Sequence, residues 1–520
     1  MSRTAPTTDP PPANILRGMS SPRLLALLLP LTACPTGADE TTLTSSTGPD
    51  TTGASDTTGT PLTTGDTTDT PTTAPATSEP TTDPTTATTA TTGTTDAPTT
   101  TATTTATSDT TDDTTTDAPP AMPTVLLPRA SITNTELAVL VNDQDPQSMA
   151  VAAYYQQARQ IPAQNVITLS FPPAETLATD AFNSLKAQID AAAGPQIQAF
   201  AVAWTNPHKV DCQSLVSALA LGTDMKYCQP QPPCNPTAPG GFFDSPSLAP
   251  FTDLGIRPAM HLAGVNADDV YKLIDRGVAA DSTYPSATGY LLRTTDSARS
   301  VRFYQFEAAK AAWAYDGGLT LEYLDNSGGM GLDYIEGKTD VLFYLTGLAD
   351  VPQIASNMYL PGAIADHLTS YGGHIPDNGG QMSIVRWLEA GATASYGTAF
   401  EPCNYTNKFP DAGVLLPHYF RGETLIEAYW KSVDWPGEGV FVGEPLARPW
   451  GGAIVSWEPP MLTIETYQLI PGKLYTLESA PSADGPWTLV QDDITTLQNK
   501  RTAITIADAS EPFYRLTMKS

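Results

Sequence analysis

The chain has 520 residues with 55 acidic and 26 basic side chains, which gives a formal net charge of −29 at pH 7. This balance argues against a nucleic-acid partner, because phosphate backbones are bound by clustered Lys and Arg and no such patch stands out. A large part of the charge lies in the first quarter of the chain, outside the part that is expected to fold. The remaining length suits one large domain and one small domain.

Residues 1–34 have the features of an export signal. Met19 is the expected start, Arg23 supplies a positive charge, and residues 24–31 form an apolar run too short to span a bilayer as a helix. The run ends in Leu31-Thr32-Ala33-Cys34, which resembles the lipobox of bacterial lipoproteins. By that resemblance Cys34 is expected to be diacylated and to become the mature N-terminus. An ordinary secretory signal with an incidental cysteine is the alternative.

Residues 35–122 consist almost entirely of Thr, Asp, Ala, Pro, Gly and Ser, without aromatic residues, Lys or Arg. Such a segment buries too little apolar area to offset the entropy lost on ordering. Its acidic residues repel one another and favour an extended chain. We therefore expect a long disordered tether without a binding role of its own.

Residues 123–450 are predicted to form an α/β domain. Near-continuous apolar strands alternate with helices, which is typical of a mostly parallel sheet buried on both faces. About six or seven strands are expected, drawn from residues 137–141, 165–169, 198–204 and 289–293 and the runs around Leu319, Val341, Ala363 and Ala394. Helices are expected at 147–159, 182–193, 268–275 and 297–315, and the Pro-rich residues 211–250 are expected to be irregular. Ligands of such sheets bind at the carboxyl ends of the strands, so a site is expected among the loops of residues 340–450.

Residues 451–520 show a different pattern, with short runs of alternating polar and apolar residues. The expected strands are 462–466, 474–478, 487–490, 503–506 and 513–516. Turns at Pro471-Gly472 and Asp484-Gly485 separate some of these runs and predict a small antiparallel β-sandwich. The module resembles the fibronectin-like modules of secreted bacterial proteins. Because its own core is small, it is expected to dock on the large domain and to serve in adhesion or spacing.

Several motifs of the large domain are long enough to compare with known families. They are Leu140-Val141-Asn142-Asp143, Tyr154-Tyr155, Arg159-Gln160-Ile161-Pro162, residues 365–370, residues 391–398 and residues 422–432. Together they resemble an exported bacterial family of unassigned activity that occurs in genomes carrying the exosortase sorting system. The resemblance covers about residues 136–450.

More distantly, the same layout resembles the caspase-like peptidases of the gingipain type, and it implies a caspase-like three-layer fold. In those peptidases a catalytic His-Gly follows one strand and a nucleophilic Cys follows the next. The corresponding positions here hold Thr346-Gly347 and Thr369-Ser370, so neither catalytic residue is present in that register. A shifted register pairs His374 with Cys403, and such a pair works because the imidazole lowers the pKa of the thiol and stabilises the thiolate.

Disulfide formation is the competing interpretation of Cys403. If Cys34 is lipidated, Cys212, Cys228, Cys234 and Cys403 remain, an even number in an exported domain. Cys228 and Cys234 are near enough in sequence to pair, which would leave Cys212 for Cys403, but the three possible pairings stay open. We expect Cys403 to lie near another cysteine and out of reach of His374.

Asp366, His367 and Ser370 form a second candidate hydrolytic group. Neighbouring residues on a strand face opposite sides of a sheet, so Asp366 and His367 join one site only if the strand is distorted. A buried Asp366 needs a partner, for which His367 and Arg386 are candidates. No metal site and no cofactor are predicted, and His208, His261 and His418 are assigned no chemistry.

These observations predict a lipoprotein of the bacterial cell envelope, exported and anchored at the outer membrane or surface. Its caspase-like domain is expected to be degenerate and to act in the handling or recognition of surface proteins. One alternative is an active cysteine hydrolase that uses Cys403 and His374. Another is a structural adhesin that binds through its C-terminal module. The expected partners are the membrane, through a lipid on Cys34, and a cell-surface protein or peptide.

Overall fold

The computed structural model describes residues 121–232, 234–313, 318–377 and 380–519. The predicted signal peptide, the lipidation site Cys34 and almost all of the predicted tether lie outside these residues. The strands in the described part of the chain are β1 (Thr124–Leu126), β2 (Leu137–Asn142), β3 (Val166–Leu169), β4 (Thr176–Leu177), β5 (Ala199–Val202), β6 (Lys209–Val210), β7 (Gln213–Ser214), β8 (Ala259–His261), β9 (Ala287–Arg293), β10 (Leu319–Asp325), β11 (Val341–Gly347), β12 (Tyr359–Leu368), β13 (Ala394–Thr398), β14 (Gly439–Gly443), β15 (Ala453–Glu458), β16 (Met461–Thr466), β17 (Tyr475–Ala480), β18 (Thr488–Ile494), β19 (Thr502–Ile506) and β20 (Phe513–Met518).

Helices alternate with the strands of the large domain. The α-helices are α1 (Pro146–Arg159), α2 (Thr179–Ala192), α3 (Leu215–Leu221), α4 (Pro250–Leu254), α5 (Ala267–Ala280), α6 (Phe303–Ala312), α7 (Val385–Ala390), α8 (Ala412–Phe420) and α9 (Leu425–Lys431). Short 3₁₀ turns occupy Ala163–Asn165, Ile354–Ser356, Thr406–Lys408 and Pro436–Glu438. Within the described ranges, no helix combines the length and the apolar character needed to cross a membrane.

A ten-stranded, mostly parallel sheet organises the large domain. Its strand order is β10-β9-β11-β12-β13-β14-β8-β5-β2-β3, and β14 runs antiparallel to β13. The α/β class is therefore confirmed, but the expected count of six or seven strands is wrong. The predicted strands lacked β8, which has only three residues, and β14, which lies close after the helix α9. A three-residue strand such as β8 is too short to carry a period of its own.

The sheet is covered on both faces. Every residue of β11 is buried, as the near-continuous apolar sequence predicts for a strand between two layers. Phe343 belongs to the larger core, which includes α8 and α9, whereas Tyr344 packs on the other face beside Trp387 of α7. The alternation of side chains along β11 thus separates the two helical layers.

Three loops of the large domain meet at one place. They are residues 203–208 after β5, residues 369–377 after β12 and residues 399–403 after β13. Asn206 Nδ2 donates to the carbonyl oxygen of Ile375 at 3.0 Å, which ties the first loop to the second. We call this place the loop junction. Each of the three loops follows the carboxyl end of its own strand.

The C-terminal residues form two small sheets that share one apolar core. One sheet has the order β15-β16-β19 and the other has the order β1-β20-β17-β18. Strand β1 pairs in parallel with β20, so residues 124–126, which sequence analysis placed in the large domain, belong to the C-terminal part instead. The five strands expected from residues 462–516 are all present.

The C-terminal part is docked on the large domain, as its small core predicts. Tyr467 is buried in the core of the large domain, where its ring lies 5.0 Å from that of Phe420. Trp450, at the end of the large domain, packs beside both rings. This aromatic cluster joins the two parts of the chain.

Candidate functional site

Close backbone packing positions His374 at the loop junction. A Cβ atom added to Gly373 would lie 2.7 Å from the carbonyl carbon of Thr398, so only glycine fits against the end of β13. Gly373 N also donates to Thr398 O at 3.1 Å. The next residue, His374, contacts the carbonyl oxygen of Ala399 through Nε2 at 2.8 Å. Gly373 therefore packs this loop closely against the end of β13.

Cys403 does not form a catalytic pair with His374. The structure pairs Cys403 with Cys234 and Cys212 with Cys228, with Cα–Cα separations of 5.3 and 5.9 Å. The pairing of Cys228 with Cys234 that their proximity in sequence favours is therefore not the one observed. A sulfur held in a disulfide is not a thiolate nucleophile. The structure thus contradicts the cysteine hydrolase interpretation of Cys403 and His374.

Asp366 is part of a buried ion pair. One carboxylate oxygen accepts from the Arg302 guanidinium at 2.6 Å, and the other accepts from the Tyr429 hydroxyl at 3.2 Å. Asp366 and Arg302 are each only 1% exposed, and burial raises the pKa of Asp366 despite the adjacent guanidinium. The partner of Asp366 is therefore Arg302, not Arg386 or His367 as expected from the sequence.

His367 faces the opposite side of the sheet from Asp366. Its Nδ1 accepts from Trp387 Nε1 at 2.9 Å, so its Nε2 carries the proton and donates to the Met382 carbonyl at 3.1 Å. Burial lowers the pKa of His367 to about 3. Ser370 lies beyond the end of β12, where its carbonyl accepts from the Thr398 hydroxyl. Asp366, His367 and Ser370 are thus not assembled into a hydrolytic group.

The positions that correspond to the catalytic His-Gly and Cys of the peptidases, Thr346-Gly347 and Thr369-Ser370, have packing roles. The Thr346 carbonyl accepts from Arg302 at 2.6 Å, and a Cβ atom at Gly347 would lie 1.9 Å from the Arg299 carbonyl oxygen. The Thr369 hydroxyl accepts from Arg299 Nε at 3.2 Å and donates to the Gln381 side chain at 2.9 Å. No His or Cys occupies these places.

His208 and His261, to which sequence analysis assigned no chemistry, lie near this junction. His208 is fully buried beside His374, with ring centroids 5.3 Å apart. His261 contacts the Trp204 carbonyl through Nδ1 at 2.9 Å. Burial, reinforced by the neighbouring His374, lowers the pKa of His208 to about 2, and burial lowers that of His261 to about 4. The only sequence signal for His208 was its position just after a buried strand.

A cavity lies between the large domain and the C-terminal sheets. Its volume is about 340 Å³, and its apolar wall includes Leu248, Ile470, Tyr475 and Met518. The ionisable side chains that line it come from both parts of the chain: Arg129, Asp244, His418, Arg421, Glu423 and Lys473. Its size falls in the range of small-ligand sites. The sequence gives no sign of this cavity, because the residues of its walls are distant from one another along the chain.

A hydrogen-bonded network, buried except for Asp244, forms the polar side of this cavity. His418 contacts Glu423 at 2.5 Å through Nδ1 and Asp244 at 2.9 Å through Nε2. Glu423 also accepts from Lys431 at 2.7 Å. Burial opposes its ionisation, but the His418 hydrogen bond and the Lys431 charge hold the pKa of Glu423 below its usual value. The network is satisfied internally, so it serves as a rigid floor.

Comparison of the chain with protein-family models, curated proteins and solved structures finds no match.

Proposed function

We propose that this protein is an exported recognition protein of the bacterial cell envelope, built on a caspase-like domain that does not act as a cysteine peptidase. The observation that carries this proposal is the disulfide between Cys403 and Cys234. It removes the one cysteine that follows His374 in the order that a peptidase requires. The C-terminal sheets, which share one core, fit a β-sandwich module in this account.

The resemblance to caspase-like peptidases supports the same conclusion. It implies a His-Gly after one strand and a Cys after the next, and here the ends of β11 and β12 are followed by neither. A hydroxyl such as that of Ser370 is a poor nucleophile without an adjacent base. His367, the nearest imidazole along the chain, has both ring nitrogens engaged by Trp387 and the Met382 carbonyl.

The interdomain cavity is the proposed recognition site, and its ligand is a peptide segment of another surface protein. The apolar wall suits one or two apolar side chains of such a segment. The Lys473 side chain is exposed at the rim and has no hydrogen-bond partner among the described residues, so its ammonium group is available to a carboxylate. Apolar peptides that carry an acidic residue therefore fit the cavity best.

Selection from a random octapeptide display library against the purified protein tests this proposal. Enriched peptides are expected to combine apolar and acidic residues and to be recovered intact after incubation. Their affinity is expected to fall in Met518→Arg, which places a bulky charge in the cavity wall, and in Lys473→Glu, which reverses the charge at the rim. The matched control is Met330→Arg, at a methionine that is 95% exposed elsewhere in the large domain.

Three results would contradict the proposed function. They are a failure to enrich any peptide, binding that both cavity variants leave unchanged, and cleavage of the bound peptides that disappears when Cys403 is alkylated. Envelope anchoring is tested separately by Cys34→Ala, which is expected to release the exported protein from the membrane fraction. Unchanged membrane partitioning of that variant would count against a lipid anchor.

A further inference from the structure

Glu175, His208 and His374 bring three potential metal ligands together at the loop junction. One ligand atom from each residue lies within 4.8 Å of the other two. His208 follows β5, His374 follows β12, and Glu175 immediately precedes β4. The pairing of β4 with β6 places Glu175 beside His208, whose backbone N donates to the Glu175 carbonyl at 3.2 Å.

The hydrogen bonds of His208 fix which ring nitrogen is available. Asn206 Nδ2 donates to the Ile375 carbonyl at 3.0 Å, so the other side-chain atom of Asn206, Oδ1, is an acceptor. Oδ1 lies 2.8 Å from His208 Nδ1, which must therefore carry the proton. The lone pair is left on Nε2, a buried atom with no hydrogen-bond partner among the described residues. A buried acceptor without a partner is costly, and a bound metal ion would satisfy it.

His374 is oriented in the same way. Its Nε2 lies 2.8 Å from the Ala399 carbonyl oxygen, which only accepts, so Nε2 carries the proton and Nδ1 keeps the lone pair. Metal-binding histidines usually donate their other ring N–H to an oxygen of the protein in this manner. Both imidazoles are thus held as neutral rings in the tautomers that a metal ion requires.

Glu175 supplies the anionic ligand. Its Oε1 accepts from Lys209 Nζ at 2.9 Å, and its side chain is 61% exposed. The ion pair orients the carboxylate and leaves the second oxygen for another contact. Because Glu175 and His374 lie on loops at the surface side of His208, solvent reaches the cluster from that side.

We propose that His208 Nε2, His374 Nδ1 and a Glu175 oxygen bind a divalent transition metal ion of the Zn²⁺ class. Two imidazoles and a carboxylate are a common zinc ligand set, and three protein ligands leave one position for water or an exogenous ligand. Bonds of about 2.1 Å place tetrahedral ligands about 3.4 Å apart. Any approach that this requires is made by the exposed Glu175 and the partly exposed His374 side chains towards the buried His208. This site is independent of the proposed peptide cavity.

The other groups of potential ligands are committed elsewhere. Cys234, Glu401 and Cys403 lie close together, but both sulfurs are in the disulfide and offer no thiolate. Both ring nitrogens of His367 and of His418 have protein partners. The chain has five histidines, so His261 is the remaining one. Its Nε2 is buried, and no carboxylate within the described ranges is grouped with it as a potential ligand.

The test is metal binding by the exported full chain, purified without a histidine tag and freed of metal by chelation. Titration calorimetry with Zn²⁺ is expected to give one ion per chain, and Co²⁺ is expected to give the visible absorption of a tetrahedral site. His374→Ala and His208→Ala are expected to abolish both signals. Glu175→Gln is expected to weaken Zn²⁺ binding by more than about tenfold. Substitution of residues that only hydrogen-bond to the metal ligands already causes a loss of about that size.

Matched controls separate this site from surface binding and from misfolding. Asp325→Asn removes a surface carboxylate that is also paired with a basic side chain, Arg293, and is expected to leave binding unchanged. Far-UV circular dichroism checks that each variant is folded. If His208→Ala fails to fold, the metal-binding measurements on His374→Ala and Glu175→Gln still test the proposal, because both side chains are at least partly exposed. Binding that is absent in the wild type, or unaffected by both His374→Ala and Glu175→Gln, would overturn the proposal.

Discussion

Asp366 and His367 are neighbours in sequence but lie on opposite faces of strand β12. The Asp366 carboxylate accepts from Arg302 at 2.6 Å within one helical layer, while the His367 ring accepts from Trp387 at 2.9 Å within the other. The alternation of a regular strand therefore separates two residues that would suggest a hydrolytic pair if spacing alone were considered. Each residue fixes a helical layer to the sheet instead.

The buried ion pair yields a stability prediction. Asp366→Ala leaves the Arg302 guanidinium buried without its counter-ion and is expected to lower the free energy of unfolding by about 3–5 kcal/mol. Asp325→Asn, which breaks the exposed pair with Arg293, is the control and is expected to cost less than about 1 kcal/mol. Urea denaturation measures both changes. Equal, small effects of the two substitutions would contradict the role assigned to Asp366.

Glu427 yields a pH prediction. Its Oε2 accepts from Thr424 and from Ile132 N, while Oε1 is buried without a partner among the described residues, and burial raises the pKa of Glu427 to about 7. A carboxyl group whose pKa is raised by folding stabilises the protein below its unfolded pKa. That contribution, up to about 3 kcal/mol, is lost as the pH rises from about 4.5 through 7.

Glu427→Gln is expected to remove this part of the pH dependence. Glutamine retains the acceptor of the capping box with Thr424 but does not ionise. The variant is therefore expected to be more stable than the wild type at pH 8 by about 1–3 kcal/mol and to match it more closely near pH 4.5. Denaturant titrations at a series of pH values measure the difference. Parallel stability curves for the two proteins would show that folding does not raise the pKa of Glu427.

The glycine at the loop junction yields a packing prediction. A Cβ atom at Gly373 would lie within 3.0 Å of three backbone atoms of Thr398, so Gly373→Ala must displace the loop. The expected cost is about 1–3 kcal/mol, as for other overpacked sites. Gly328→Ala is the control, because nothing lies within 4 Å of its added Cβ. Thermal denaturation that cannot distinguish the two variants would contradict the packing described for the junction.

Periodicity and composition were sufficient to predict the α/β class and most strands. Strand β11 is a continuous apolar run, which indicates burial on both faces. Strand β16 alternates polar and apolar residues, which indicates burial on one face. The strand β8 was missed because three residues carry no period. Residues 124–126, which form β1, were assigned to the large domain. Their partner strand β20 lies near the other end of the sequence, where Thr124 pairs with Phe513.

The candidate sites were less accessible from the sequence than the fold. The opposite orientations of Asp366 and His367 follow from strand geometry, but the pairing of Asp366 with Arg302 depends on where α6 packs. The histidine cluster joins three loops that share no local motif, and the four cysteines allow three pairings that spacing does not distinguish. Tertiary packing decides both, which is why they emerge only from the structure.

The central claim, that Cys403 is a structural cysteine and not a nucleophile, is tested most directly by mapping the disulfides of the exported protein. Non-reducing proteolysis and mass spectrometry are expected to recover one linked peptide pair containing Cys234 and Cys403 and another containing Cys212 and Cys228. Alkylation without a reductant is expected to leave all four unlabelled. Cys403 recovered as a free thiol, and labelled by a peptidase-directed probe only while His374 is intact, would contradict the account.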